Sequence, residues 1–246
     1  INNNKQRYRP RSMANVGAEI EEKYAKYHFN ILVALDELFA AKKERMNDFS
    51  RMVIEGREKG RWGHFNWCFQ THASSHLDRE SLLLAKEAGC YFIAYGLESS
   101  SPIVLKSRRK KTNPEWISEG ERLAEGVGVG FNGNYLFGDP SETVQTVRES
   151  LRFWYRHLRN ANITMAFPSP YPGSRLHDLC LERGPIKSKK WYYESGVDDN
   201  IINMTAIPDR VWKPWIYSFV VLATKYLWVR VANPLPGGWA KCPHCG

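Results

Sequence analysis

The stretch that most constrains this chain runs Tyr91-Phe92-Ile93-Ala94-Tyr95-Gly96-Leu97-Glu98-Ser99-Ser100-Ser101. An almost unbroken apolar run ends in a glycine, a carboxylate and three hydroxyls, the pattern of a strand buried on both faces that opens into a polar site at its C-terminal end. Before it, Asp78 to Ala88 carries Leu82, Leu83 and Ala85 as a helix would, and Gly89 stops that helix. After it, a basic loop leads to another helix. The repeating unit is helix, strand, polar tip, helix.

That alternation runs along the chain. Ser12 can cap a helix over Met13 to Tyr27, with Val16, Ile20 and Tyr24 at helical spacing. Phe29 to Leu35 predicts a strand ending in Asp36-Glu37, and Lys42 to Lys59 a helix with Phe49, Met52 and Val53 on its inner face. Phe65 to Gln70 predicts a strand ending at Thr71-His72. Asn113-Pro114 opens a helix to about Gly126, with proline in its first turn. Val129 to Phe137 is a strand tipped by Gly138-Asp139-Pro140-Ser141-Glu142-Thr143, followed by a helix to about Leu158. Ile163 to Phe167 is the last strand, tipped by Pro168-Ser169-Pro170-Tyr171-Pro172-Gly173-Ser174.

Strands alternating with helices predict an α/β fold with parallel pairing through right-handed crossovers, and such folds gather their sites at the C-terminal strand tips. A complete eightfold barrel takes about 250 residues by itself. Here the alternation stops near Gly184, so a partial barrel lacking its first strand is expected over residues 1–184, with a mainly helical extension over 185–246.

Composition narrows the function classes. With 246 residues and 43% hydrophobic content the chain can bury a real core. The net charge of +9, from 35 Lys plus Arg against 26 Asp plus Glu, is densest at Lys106 to Lys111. It suits an anionic partner such as nucleic acid, but a solvated basic face is the favoured reading. Five cysteines, scattered except for Cys242 and Cys245, argue against a disulfide framework and for a reducing, cytoplasmic compartment. Ile1 to Pro10 is polar and basic, unlike a signal peptide. Trp215 to Val231 is broken by Lys225 and Arg230, short of the roughly 20 apolar residues a membrane span needs. The chain opens without methionine and stops at Cys242-Pro243-His244-Cys245-Gly246, as a fragment of a longer protein would.

Five segments in series carry a family resemblance. Gly89-Cys90, then Gly96-Leu97-Glu98-Ser99, then Val104-Leu105-Lys106 with Lys110, then Phe137 to Thr143, then Pro170-Tyr171-Pro172-Gly173-Ser174-Arg175-Leu176 resemble the radical S-adenosylmethionine (SAM) enzymes. The likeness covers roughly Tyr8 to Gly184 and is greatest to the branch with an N-terminal cobalamin-binding domain. The resemblance implies a partial six-stranded (β/α) barrel holding SAM and a 4Fe-4S cluster, an electron donor such as flavodoxin or ferredoxin, and cobalamin on a domain outside this chain. It implies reductive cleavage of SAM to a 5′-deoxyadenosyl radical. Where a parent carries cobalamin, methyl transfer to an unactivated carbon is a frequent outcome, while other members rearrange or cyclise. The family's CxxxCxxC cluster motif is absent here and is expected before Ile1. Cys68, Cys90 and Cys180 have neither its spacing nor its company and read as small buried hydrophobes.

The resemblance also assigns the tips. Asp36-Glu37 sits where the family has a polar segment near the SAM amino group, and a carboxylate there would pair with an ammonium; a helix cap is the plainer alternative. Glu98 and Ser99 match the Gly-x-Glu-Ser tip, suited to ribose hydroxyls and the methionyl end. Lys110 matches a basic position that would face the ligand carboxylate, whereas Lys106, Arg108, Arg109 and Lys111 read as a solvated loop face. Gly138 to Thr143 matches a Gly-x-Pro-Gly-Glu-Thr turn, with Gly138 admitting close backbone approach to the cofactor and Glu142 a candidate cofactor-binding residue, or else a cap for the next helix. It departs from that pattern at Asp139, where the family has an apolar residue, and at Ser141.

Past Gly184 the likeness thins. Bases and aromatics from Lys187 to Trp228 could stack nucleic-acid bases, though core packing is the commoner use. Cys242 and Cys245 supply half of a zinc or auxiliary-cluster site. Two other readings stand beside the radical enzyme: an ordinary barrel hydrolase or aldolase using Glu98 and Lys110 as acid and base, and a nucleic-acid-binding module.

Overall fold

The first helix begins where a hydroxyl is available to start it: Ser12 Oγ accepts the N–H of Asn15 at 3.2 Å, and α1 runs Met13–Tyr27. The computed structural model describes residues 10–36, 39–72, 77–158, 162–194 and 202–217. The described elements continue as β1 (Ile31–Ala34), α2 (Lys43–Glu58), β2 (Asn66–His72), α3 (Arg79–Glu87), β3 (Cys90–Glu98), α4 (Pro102–Ser107), α5 (Pro114–Val127), β4 (Gly130–Leu136), α6 (Val144–Phe153), β5 (Asn162–Ala166), α7 (Arg175–Arg183), α8 (Lys189–Glu194) and α9 (Asp209–Val211). Asp78, Asn113, Thr143 and Ser174 cap α3, α5, α6 and α7 through their side-chain oxygens, satisfying N–H groups that a helix start leaves bare. One π-helical turn, Trp154–Leu158, prolongs α6.

The strands form a five-stranded parallel sheet in the order β1-β2-β3-β4-β5. Its register is explicit where Val33 lies beside Cys68 and Cys68 beside Phe92. This sequential order follows from a helical crossover between successive strands. At the β1 edge, Ile31 and Val33 are half exposed.

The chain divides into two compact units. The first comprises Asn2–Leu97 and Thr112–Gly133. Its core is aromatic: Trp67 is fully buried, 4.8 Å from Phe49 and 5.5 Å from Phe69 between ring centroids, and its Nε1 donates to Ala88 O at 3.1 Å. Burying each such ring contributes about 2 to 3 kcal/mol. Met46, Phe49 and Val53 supply the buried face of α2. Tyr95 stacks on Phe131 at 4.8 Å.

The second unit comprises Glu98–Lys111 and Asn134–Gly246. Here Cys180 of α7, Ile186, Tyr192 of α8 and Met204 form a buried cluster, which seats the segment after Gly184 on α7. Trp212, also buried, packs on Phe167 at 5.2 Å.

One expectation needs correction. Strand β3 is not buried on both faces: Ile93, Tyr95 and Leu97 are buried, whereas Phe92, Ala94 and Gly96 are partly open and Tyr91 is exposed. The small residues Ala94 and Gly96 carry too little side chain to close that face. On α3, Ser81, Leu82 and Ala85 are buried and Leu83 is exposed. Most of the aromatic region expected at Val211 to Val231 lies outside the described residues.

Gly89 joins α3 to β3 at φ +97, and a Cβ there would lie 2.6 Å from Phe65 O. Gly89→Ala is expected to cost on the order of 3 kcal/mol, from the left-handed backbone and the clash, measured by urea unfolding. Gly126→Ala, inside α5 with nothing within 4 Å of the new Cβ, is expected to add about 0.5 kcal/mol.

Candidate functional site

Glu98 ends β3 at φ +66, a backbone state that costs a residue with a Cβ about 1 to 2 kcal/mol and persists only when surrounding contacts impose it. Those contacts are two cations. Lys110 Nζ lies 2.8 Å from Glu98 Oε1, and Arg108 Nη1 donates to Glu98 Oε2 at 3.3 Å. Helix α4 brings both cations there. It ends with Arg109 at φ +54, and the Lys110 N–H reaches back to Leu105 O at 2.9 Å. This is a helix-terminating turn usually made by glycine, and it places Arg108 and Lys110 at the same carboxylate.

Arg108 is not the solvated loop base expected from the sequence. Its side chain is 13% exposed, as is that of Glu98. On its other side Nε lies 3.3 Å from Asp139 Oδ2. Asp139 is itself held: Oδ1 accepts Ser107 Oγ at 2.8 Å, Ser141 N at 2.9 Å and Ser141 Oγ at 2.6 Å. Asp139 and Ser141, the two departures from the family turn, therefore bond to each other and to α4. Sequence reasoning missed Arg108 and Asp139. The available signal was spacing: Arg108 falls three and four residues after the buried Leu105 and Val104, on the same face of α4.

The serines after Glu98 face inward. Ser99 is buried, its Oγ 3.0 Å from Ser150 Oγ and accepting Ser101 N at 3.0 Å. Ser100 Oγ bonds to Tyr135 Oη, and Ser101 Oγ donates to Glu149 Oε2 at 2.7 Å. Burial pushes the Tyr135 phenol upward, keeping it neutral. These hydroxyls tie the end of β3 to α6 and β4.

At the tip of β4, Gly138 adopts φ +112 and its N–H donates to Glu142 Oε2 at 2.6 Å. Glu142 does not cap α6, as expected, because Thr143 and Thr146 complete a reciprocal capping box there. It turns back and is 1% exposed. Burial raises its carboxyl to about 7, against the opposing pull of the Gly138 N–H and of Arg108. The indole of Trp212 lies beside Gly138, with Cζ2 3.6 Å from where a Cβ would stand. Its buried Nε1 has no hydrogen-bond partner among the described residues.

Glu98, Ser99, Lys110, Gly138 and Glu142 thus fall in one unit. Asp36 belongs to the other, where it lines a cleft of about 810 Å³ with Val16, Ile20, Leu32, Phe39 and Phe49. Glu37, Cys242 and Cys245 lie outside the described residues. His72, at the end of β2, is half-buried. Cys68, Cys90 and Cys180 are buried free thiols, and burial pushes Cys90 up to about 12, the opposite of what a metal-ligating thiolate requires. Among the described residues no group of three or more His, Cys, Asp and Glu could hold a metal ion, and no helix is long and apolar enough to cross a membrane.

The Glu142 carboxyl predicts a pH dependence. Below about pH 4.5 it is protonated in both folded and unfolded chains; between there and about 7 only the folded chain keeps the proton. Its contribution to stability is therefore full at low pH and is lost as pH rises through about 7, by roughly 3 kcal/mol at most. Glu142→Gln, which can still accept the Gly138 N–H, is expected to resist urea better than the wild type at pH 8 and equally at pH 4.5. Lower stability of the variant at pH 8 would refute the assignment.

No family model matches the chain. An uncharacterized methyltransferase of Pyrococcus horikoshii is 25% identical over 194 residues, 78% of this chain and 40% of that protein. Cytidylyl-2-hydroxyethylphosphonate methyltransferase of Streptomyces wedmorensis is 27% identical over 143 residues, 54% of this chain and 26% of that protein. This chain spans less than half the length of either relative. Among solved structures, the radical SAM methyltransferase TsrM from Kitasatospora setae, with tryptophan substrate and a SAM analogue bound, gives a TM-score of 0.59 at 20% identity, covering 73% of this chain and 35% of that one. The cobalamin-dependent SAM radical enzyme OxsB gives 0.56 at 18% identity, covering 79% and 28%. The five parallel strands and their helices have the fold of the radical SAM enzymes, and the structural neighbours include cobalamin-dependent members of that family.

Proposed function

We infer that this chain is the SAM-binding barrel of a radical SAM methyltransferase, with residues 1–184 as barrel and 185–246 as helical extension. The observation that carries this is Glu98, held at a strained φ at the C-terminal tip of a parallel strand with two cations on its carboxylate. Local strain at a strand tip marks a position selected for what it presents.

The residues present fit SAM. Glu98 supplies acceptors for ribose hydroxyls, and Lys110, the more exposed of its two cations, supplies a charge for a ligand carboxylate. Gly138 shapes the turn at the tip of β4, with its N–H on Glu142 and the Trp212 ring against it. Ser99 supports the end of β3 through Ser150. The described cysteines do not fit a cluster, so this chain's own contribution is to bind and orient SAM and to exclude water from it. Bound SAM would supply the methyl group or the 5′-deoxyadenosyl radical.

Methyl transfer is the reaction favoured, because the Pyrococcus and Streptomyces relatives and TsrM are methyltransferases by name. Cobalamin, the 4Fe-4S cluster and the docking of an electron donor are assigned to the rest of the parent protein.

Equilibrium dialysis of labelled SAM against the full-length protein tests this. Glu98→Ala is expected to weaken binding about tenfold to a hundredfold, the worth of a charge-assisted hydrogen bond, and Lys110→Ala by about tenfold. Absence of SAM binding by the anaerobically reconstituted wild type at millimolar ligand would end the proposal. Tight, steeply salt-dependent binding of RNA without SAM would favour a nucleic-acid module.

A further inference from the structure

The two cations at Glu98 are not equivalent. Lys110 is 28% exposed and meets Glu98 alone among the ion pairs of the described residues, whereas Arg108 is enclosed and pinned from several sides. Arg108 Nη1 donates to Glu98 and Nη2 to Leu136 O at 3.5 Å, while Nε lies 3.3 Å from Asp139 Oδ2 as an ion pair without a hydrogen bond among the described residues. Asp139 cannot swing to follow it, because donors from Ser107 and Ser141 hold Oδ1. Position therefore passes in one direction: Ser107 and Ser141 hold Asp139, Asp139 places Arg108, and Arg108 places Glu98.

Folding stability does not explain this pair. A buried ion pair is usually neutral or costly against well-packed apolar side chains of similar volume, since desolvation cancels the attraction. An arginine and a carboxylate where two apolar side chains would serve the fold must contribute through geometry. The planar guanidinium fork offers donors at fixed angles, which an ammonium does not.

We propose that Asp139 and Arg108 are the positioning residues of this site, built to keep the Glu98 carboxylate in place while Lys110 exchanges from Glu98 to an anionic group on the bound ligand. Arg108 then holds Glu98 and Asp139 with one positive charge against two negative, and Lys110 is released to the ligand. Glu142, near Arg108 and Asp139, stays out of the charge balance while it holds its proton. The consequence for SAM binding rests on the function proposed above; the positioning of Glu98 does not.

The test separates geometry from stability. Asp139→Leu alone leaves the buried guanidinium with Glu98 as its one carboxylate and is expected to lower the melting temperature of the full-length protein by on the order of 10 °C. Arg108→Met combined with Asp139→Leu removes both charges and should restore the melting temperature to within a few degrees. In that double variant the crystal structure is expected to show the Glu98 carboxylate displaced from its place beside Lys110, and dialysis to show SAM binding weakened about tenfold. A double variant with Glu98 unmoved and SAM affinity unchanged would reduce the pair to a structural role and overturn the proposal. If the wild type binds no SAM, the function falls, and the position of Glu98 still decides the proposal. Should the double variant not fold, Asp139→Asn, which keeps an acceptor for Ser141 and loses only the charge, decides by the same two readouts.

Discussion

The guanidinium of Arg108, enclosed between the carboxylates of Glu98 and Asp139, organises the end of the sheet where β3 and β4 finish. A cation taken out of water must be matched by anions in good geometry, and that requirement propagates outward. It fixes Glu98 in a left-handed backbone state, and it accompanies the turn at Arg109 that swings Lys110 back toward the same carboxylate. It also places an acid at position 139, which Ser107 and Ser141 then satisfy.

Around this charged centre the chain has arranged neutral hydrogen bonds. Ser99, Ser100 and Ser101 turn their hydroxyls to Ser150, Tyr135 and Glu149, so the strand end is tied to α6 and β4 without further charge. Glu142, raised to about 7 by burial, carries a charge that depends on pH. An enclosed site with two fixed acids, two bases and one conditional acid is close to neutral at physiological pH. A zwitterionic ligand with separated charges can enter it by exchanging partners, with no uncompensated charge left behind.

Much of the fold was legible before any coordinates. Helix starts announced themselves because Ser12, Asp78, Asn113, Thr143 and Ser174 are residues whose side chains satisfy bare N–H groups. Strands showed as apolar runs, and their parallel order followed from the helices between them. Among the site residues, Glu98, Lys110 and Gly138 stood out through motif likeness. Arg108 and Glu142 were misread because a basic run and an acid before a helix are usually solvated or capping. In such a Lys-Arg stretch only the spacing of Arg108 from Val104 and Leu105 hinted that it turns inward.

The sequence by itself determined the alternation of elements, the polar character of each strand tip and the absence of a cluster-binding cysteine motif, because these rest on period, caps and residue type within a few positions. The tertiary structure alone decided which charges meet. Residues 98, 108 and 139 are separated by ten and by thirty-one positions, and only the crossover that lays β4 beside β3 brings their side chains within a few ångströms of one another. There a low dielectric turns proximity into a pairing that sequence spacing cannot encode.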